Sequence, residues 1–202
     1  MSDDQVNKQK RKKRRRRRIQ IIVAYIAVAI GLAWFFESQA TTTVIFIRHA
    51  EKDLTQLDNP GLSDQGRVRV AELTRQLIDA DVVAGIDAIY STSYRRNTET
   101  VQPLAKILNL EINYYNPTEN EEVLENILDN HKGKIILVVA HSNTVPILIA
   151  DLGASKNVPP IAEHEYDNIY IVSIPWFGKT KTIRLRYGMP YDPDNQKRAI
   201  KN

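Results

Sequence analysis

Three hydrophobic runs in the chain end in side chains suited to holding and transferring a phosphoryl group. Thr43–Ile47 is followed by Arg48-His49-Ala50-Glu51-Lys52, and Lys134–Ala140 by His141-Ser142-Asn143-Thr144. Ile86–Tyr90 is followed by Ser91-Thr92-Ser93-Tyr94-Arg95-Arg96. A guanidinium matches paired phosphate oxygens with two parallel hydrogen bonds and stays charged at any working pH. An imidazole with a pKa near 6.5 keeps a free ring nitrogen at neutral pH and forms covalent intermediates. A second imidazole can donate to an equatorial oxygen whose charge grows during transfer. This chemistry requires no metal and no cofactor, and His49 with His141 but no clear third ligand is a poor zinc site. Taken singly, each signal has a plainer reading, since a lone Arg-His pair opens many polar loops and a lone histidine after a strand is as often structural. The coincidence of three run ends is harder to dismiss. His131, before Lys132-Gly133, and His164, between two glutamates, read as solvated surface residues.

Convergence of these ends needs a particular set of elements. β-type runs occur at Thr43–Ile47, Ile86–Tyr90, Ile112–Tyr115, Ile135–Ala140, Ile169–Ile174 and Thr182–Tyr187. Helical spacing begins at Ser63, a good N-cap, and ends before Asp79-Ala80-Asp81. It recurs over Asn97–Leu108, where Pro103 must sit in the first turns or bend the helix, and over Asn120–His131 and Thr144–Leu152. Strand and helix in alternation predict an α/β layered domain with a mostly parallel central sheet, and the two late strands predict a hairpin at its edge. In such a sheet ligands bind beyond the carboxyl ends of the strands.

The ordered set Arg48-His49-Ala50-Glu51, Leu62-Ser63-Asp64-Gln65-Gly66, Ser91 to Thr100 and His141 after a hydrophobic strand resembles the histidine phosphatase superfamily, the phosphoglycerate-mutase-like group marked by Arg-His-Gly. The likeness covers about Thr43 to Tyr187. It implies a three-layer α/β sandwich and a phosphoric monoester hydrolase working without a metal through a phosphohistidine. By the same resemblance His49 is the nucleophile, Arg48 and Arg96 clamp the phosphate, and His141 is the second pocket histidine that binds substrate. Arg96 is preferred to Arg95 because it precedes Asn97-Thr98-Glu99-Thr100, where the family usually has Arg-Ala-x-Gln-Thr. Ala50 stands in place of the usual Gly. Ser142 stands where one branch has the Asp that donates a proton, so the donor is open. Glu119, Glu121 and Glu122 are the candidates, against a plain reading as a solvated helix start favoured by the dipole.

The rest of the composition concerns location. Ten of the 28 cations of the 202-residue chain lie between Lys8 and Arg18 with only Asp3 and Asp4 opposing, a tail of +8, whereas the remainder carries 18 cations against 22 anions. Residues 19–36 are 18 uncharged residues ending in Trp34-Phe35-Phe36, about 27 Å as a helix against a hydrocarbon core of about 30 Å. The pattern predicts a single transmembrane helix with a cytoplasmic tail (1–18), a linker (37–42), an exported domain (43–187) and a loose C-terminal tail (188–202). The alternative is a cleaved signal ending near Ala40, although a signal core usually has only 7–15 residues. The expected partners are therefore a small phosphorylated substrate and the lipid bilayer. A nucleic-acid role is not expected, because no base-reading or aromatic residue interrupts the cationic run. Two rival readings remain: a non-catalytic phosphate-binding or scaffolding domain, and a cytoplasmic protein-phosphohistidine phosphatase.

Overall fold

The structure, a computed structural model, describes residues 3–38, 41–78 and 85–190. The chain divides into two compact units, Met1–Ala40 and Thr41–Asn202. The first is one helix, α1, over Asp3–Ser38. It carries both the cationic run and the apolar run, because neither contains proline and the only glycine is Gly31. Within Arg11–Phe36 an 18-residue stretch of mean hydropathy 2.3, none of it buried, is long and apolar enough to cross a membrane. By length and composition it suits an anchor or a signal sequence equally. The helix runs to Ser38 and the first strand starts at Thr41, so most of the 37–42 segment lies in regular elements. Residues 39–40, with the alternative cleavage point at Ala40, fall outside the described residues, as does the C-terminal tail from residue 191.

The second unit is built on β1 (Thr41–Arg48), α2 (Asp64–Ile78), β2 (Ala88–Thr92), α3 (Arg95–Leu108), β3 (Ile112–Tyr115), α4 (Asn120–Asn130), β4 (Ile135–Ala140), α5 (Val145–Asp151), β5 (Asn168–Pro175) and β6 (Lys181–Arg186). The sheet order is β3-β2-β4-β1-β5-β6. β3, β2, β4 and β1 are mutually parallel, and β5 and β6 add antiparallel at one side as a hairpin.

The central strands read as unbroken apolar runs because both their faces are covered. Val44 and Phe46 of β1 pack with Ile136 and Val138 against Val123, Leu124 and Ile127 of α4 and Val145, Leu148 and Ile149 of α5. Ile45 and Ile47 face the other way, with Leu137 and Val139, onto Leu73 and Leu77 of α2 and Val101, Leu104 and Ala105 of α3. Two helix layers therefore enclose one sheet, an α/β sandwich. The outer strand β6 is mostly exposed and carries Lys181, Arg184 and Arg186, charges that discourage further strand pairing.

Local chemistry sets the helix starts. Ser63 caps α2, its Oγ accepting from the Gly66 N–H at 3.1 Å. α3 begins two residues before the predicted start and runs through Pro103, which lies beyond its first two turns. Asn109 ends α3 in the left-handed conformation with φ 54°, a role Asn tolerates among non-glycine residues. α2 is described as far as Ile78, the last residue before the predicted stop at Asp79-Ala80-Asp81, which itself lies outside the described residues.

Candidate active site

β1 and β4 are neighbours in register, with Arg48 opposite Ala140, so the residues that follow each strand meet. The rings of His49 and His141 lie 5.5 Å apart at 64°. Arg96, in the first turn of α3, arrives from the end of β2. It bears on both imidazoles, lowering the proton affinity of each alongside Arg48. Arg48, His49, Arg96 and His141 are thus gathered in one crevice. Arg95 points elsewhere and pairs with Glu99 at 2.6 Å.

Two aromatic rings, given no role by sequence, complete the walls. The Arg48 guanidinium carbon lies 4.0 Å above the Tyr166 ring centre, and that of Arg96 lies 4.6 Å above Tyr94. Tyr94 also meets His141 edge-on at 5.2 Å, and Tyr166 stands 6.0 Å from His49. Stacked guanidiniums lose rotational freedom while keeping their N–H groups for a ligand. Tyr94 belongs to the Ser91–Arg96 block, so a signal for it existed. Nothing marks Tyr166, which sits over 100 residues from Arg48.

Backbone carbonyls fix Arg48. Its Nη1 donates toward the oxygens of Ala162, Glu163 and Glu165 at 2.9, 2.9 and 3.1 Å. That turn is braced in its own right: the Ala162 N–H donates to Glu165 Oε2, and Arg186 donates to Glu165 Oε1 and to Asp167. The Nε atoms of Arg48 and Arg96 are buried and have no hydrogen-bond partner. A buried N–H left unmade costs about 1–3 kcal/mol, which an anion seated between the two guanidiniums would recover.

The histidines are held neutral. His49 is buried, and that desolvation, followed by Arg48, Arg96 and His141, puts its pKa well below the ordinary value, against a raising contribution from the Ala50 carbonyl. His49 Nδ1 lies 2.8 Å from Ala50 O. A carbonyl can only accept, so the ring proton is assigned to Nδ1 and Nε2 carries the lone pair. Burial and then the two arginines lower His141 to about 4, and its Nε2 is 3.2 Å from Thr92 Oγ1. Burial also lowers the pKa of Arg48 and of Arg96, leaving both charged at neutral pH.

The supports are local. The Ala50 N–H donates to Thr100 Oγ1 at 3.0 Å, and that hydroxyl donates to Arg96 O at 2.7 Å, which ties the loop after β1 to the first turns of α3. Asn97 Nδ2 reaches the carbonyls of Val139 and Ala140. The loop is pinned from beneath by Glu51, fully buried, whose Oε1 accepts from Arg69 Nε at 2.7 Å.

Glu119, Glu121 and Glu122 are exposed at the start of α4. Glu119 and Glu122 line a separate recess with Tyr90, Tyr114, Tyr115 and Asn126, which none of the four crevice residues lines. Among the described residues no hydrogen bond or ion pair joins these carboxylates to Arg48, His49, Arg96 or His141. His131, read from sequence as solvated, is half-buried, its Nε2 3.0 Å from the Tyr90 hydroxyl. His164 is exposed. Among the described residues no group of three or more His, Cys, Asp or Glu could hold a metal ion.

Residues 44–116 match the family model for the histidine phosphatase superfamily, branch 1. That stretch includes Arg48, His49 and Arg96, while His141 lies beyond it. A search of curated proteins finds no match. Among solved structures, a mycobacterial glucosyl-3-phosphoglycerate phosphatase is similar at 13% identity and TM-score 0.56, covering 73% of this chain and 98% of its own. A phosphoglycerate mutase from Plasmodium falciparum is similar at 15% identity and TM-score 0.55, with 76% and 96% covered. A phosphoserine phosphatase from Entamoeba histolytica in complex with 3-phosphoglyceric acid gives 16% and 0.54, with 73% and 97% covered. These likenesses establish the histidine phosphatase fold.

Proposed function

We propose that the chain is a membrane-anchored phosphatase that hydrolyses a phosphomonoester through a phosphohistidine on His49. The observation that carries this reading is a buried, neutral His49 with its Nε2 lone pair available, set among two guanidiniums and a second neutral imidazole. Arg48 and Arg96 hold the non-bridging oxygens, each with a buried Nε donor that has no protein partner. His141 donates to an equatorial oxygen from whichever ring nitrogen bears its proton. His49 Nε2 attacks phosphorus, the N–P bond forms as the ester P–O bond breaks, and the alcohol leaves with a proton from solvent or substrate. Water then attacks phosphorus, the N–P bond breaks and inorganic phosphate departs, returning His49 to its neutral state. The domain takes its place at the membrane from the apolar stretch of α1, with the cationic tail on the cytoplasmic side.

The test is a purified full-length chain given a generic aryl phosphate. An acid-labile, alkali-stable phosphoryl label appears during turnover and is lost, with phosphate release, in His49→Ala. Equal turnover by that variant sinks the mechanism.

One observation favours a second reading, a phosphate-binding domain without turnover: the three candidate donors are exposed, and two of them line another recess. Phosphate that binds, and is lost from Arg48→Ala and Arg96→Ala, with no turnover of any ester offered, would select it.

A further inference from the structure

The turn between β5 and β6 carries two large aromatic side chains outward. Trp176 is 62% and Phe177 88% exposed, and neither belongs to a core cluster. Exposed Lys179 and Lys181 follow, and Gly178, at φ 119°, closes the turn in a conformation that other residues resist. Adjacent Trp and Phe beside lysines are the side chains that settle at a lipid–water boundary, with rings among the acyl-chain ends and ammonium groups at the phosphates.

Position adds to composition. The β1–β5 register sets Thr41 opposite Pro175, so the turn lies at the end of the sheet where the chain enters the domain. Only residues 37–40 separate Thr41 from the apolar segment ending at Phe36, a span of at most about 18 Å. The crevice lies at the other end of β1, seven residues on at Arg48, about 23 Å along the strand. A surface that engages the turn therefore leaves the crevice open.

We propose that the Trp176–Phe177 turn is a lipid-docking element that seats its two rings in the interfacial layer of the bilayer anchoring residues 19–36, with Lys179 and Lys181 against anionic headgroups. This rests on the anchored reading above. The short tether holds the turn at high effective concentration near that surface, so two rings and two cations suffice where a free domain would need more.

The experiment uses the full chain carrying Trp34→Phe, which leaves Trp176 as its single tryptophan. It is reconstituted in phosphatidylcholine–phosphatidylserine vesicles, with and without bromine on the acyl carbons nearest the headgroup. Trp176 emission is expected to shift to shorter wavelength and to lose most of its intensity in the brominated vesicles. Adding Lys179→Glu with Lys181→Glu, or Phe177→Asp, should restore much of it. A chain that floats with the vesicles while Trp176 emits as in water, unquenched, overturns the docking and leaves anchoring standing. A chain that does not float overturns anchoring and docking together.

Discussion

The Nδ1 of His49 and the carbonyl oxygen of Ala50 lie 2.8 Å apart in a buried setting, and this contact decides which nitrogen of the ring faces a substrate. The bond lies within a single residue step, so the loop after β1 selects the tautomer without a carboxylate partner. Because burial and the neighbouring cations favour the neutral ring, the nucleophile is ready at neutral pH. The activity kcat/KM should therefore hold as pH falls through 6.5, the ordinary histidine value, apart from the titration of the substrate itself. A pH profile with an aryl phosphate whose electron-withdrawing substituents lower its second ionisation, corrected for that ionisation measured separately, checks this. Loss of half the activity at or above pH 6.5 would contradict it.

The same shifts bear on stability. His141 titrates near 4 when folded and near 6.5 when unfolded. Below 6.5 the unfolded chain binds a proton that the folded chain refuses, so stability falls with pH through the window from about 6.5 down to about 4, by at most about 1.4 kcal/mol per unit for one such group. His49 acts in the same direction. Urea unfolding at pH 7 and at pH 5 should show the wild-type chain losing more stability than His141→Asn over that interval. Equal losses would mean that His141 is not held neutral.

Arg48 and Arg96 should separate in their effects. Arg48 holds three carbonyls of the Ala162–Glu165 turn and stacks on Tyr166, so Arg48→Lys, which lacks the planar fork, should lower both activity and Tm. Arg96 stacks on Tyr94 and braces no such turn, so Arg96→Lys should lower kcat/KM by about 10²–10³ with little change in Tm. Calorimetry beside a phosphate-release assay reads both.

Glu51 and Arg69 form a fully buried pair two residues beyond the nucleophile. Breaking such a pair from one side costs about 3–5 kcal/mol, since the other charge is left unpaired in the interior. Glu51→Ala should therefore cut unfolding stability by that order in urea titrations. A loss below about 1 kcal/mol would argue that Arg69 finds replacement partners in the carbonyls of Tyr187 and Met189, to which it already donates.

Gly66 supports the same loop by having no side chain. A Cβ there would lie 2.3 Å from the Glu51 carbonyl oxygen, and backbone cannot yield as a side-chain tip can. Gly66→Ala should displace the loop that carries His49 and Glu51, lowering Tm and activity together. A variant with wild-type Tm would show that α2 can shift to make room.

Much of the domain was legible before folding. Buried parallel strands must be apolar on both faces, so β1, β2 and β4 stand out as apolar runs, and the residues that end them, Arg48-His49 and His141, mark the crevice. The helices between them follow from the spacing of Val101, Leu104 and Leu108 or of Val123, Leu124 and Ile127, which is set by the helical repeat. Local signals of this kind need only neighbours a few residues away.

Tertiary structure alone decided the rest. Tyr166 beneath Arg48, the carbonyls that grip Arg48, and the Glu51–Arg69 pair all join segments far apart in the chain, and no local pattern encodes such a meeting. The preference for Arg96 over Arg95 rests on a resemblance; the fold adds that Arg96 lies over the Tyr94 ring and acts electrostatically on both histidines, whereas Arg95 pairs with Glu99. Glu119, Glu121 and Glu122 are candidate proton donors only through the resemblance, since one branch of that family uses a Glu from the region after the third strand. The fold leaves them exposed at the start of α4, with Glu119 and Glu122 lining another recess, because the direction in which a helix presents its first turn depends on how it packs, and packing is settled only when the sheet closes beneath it.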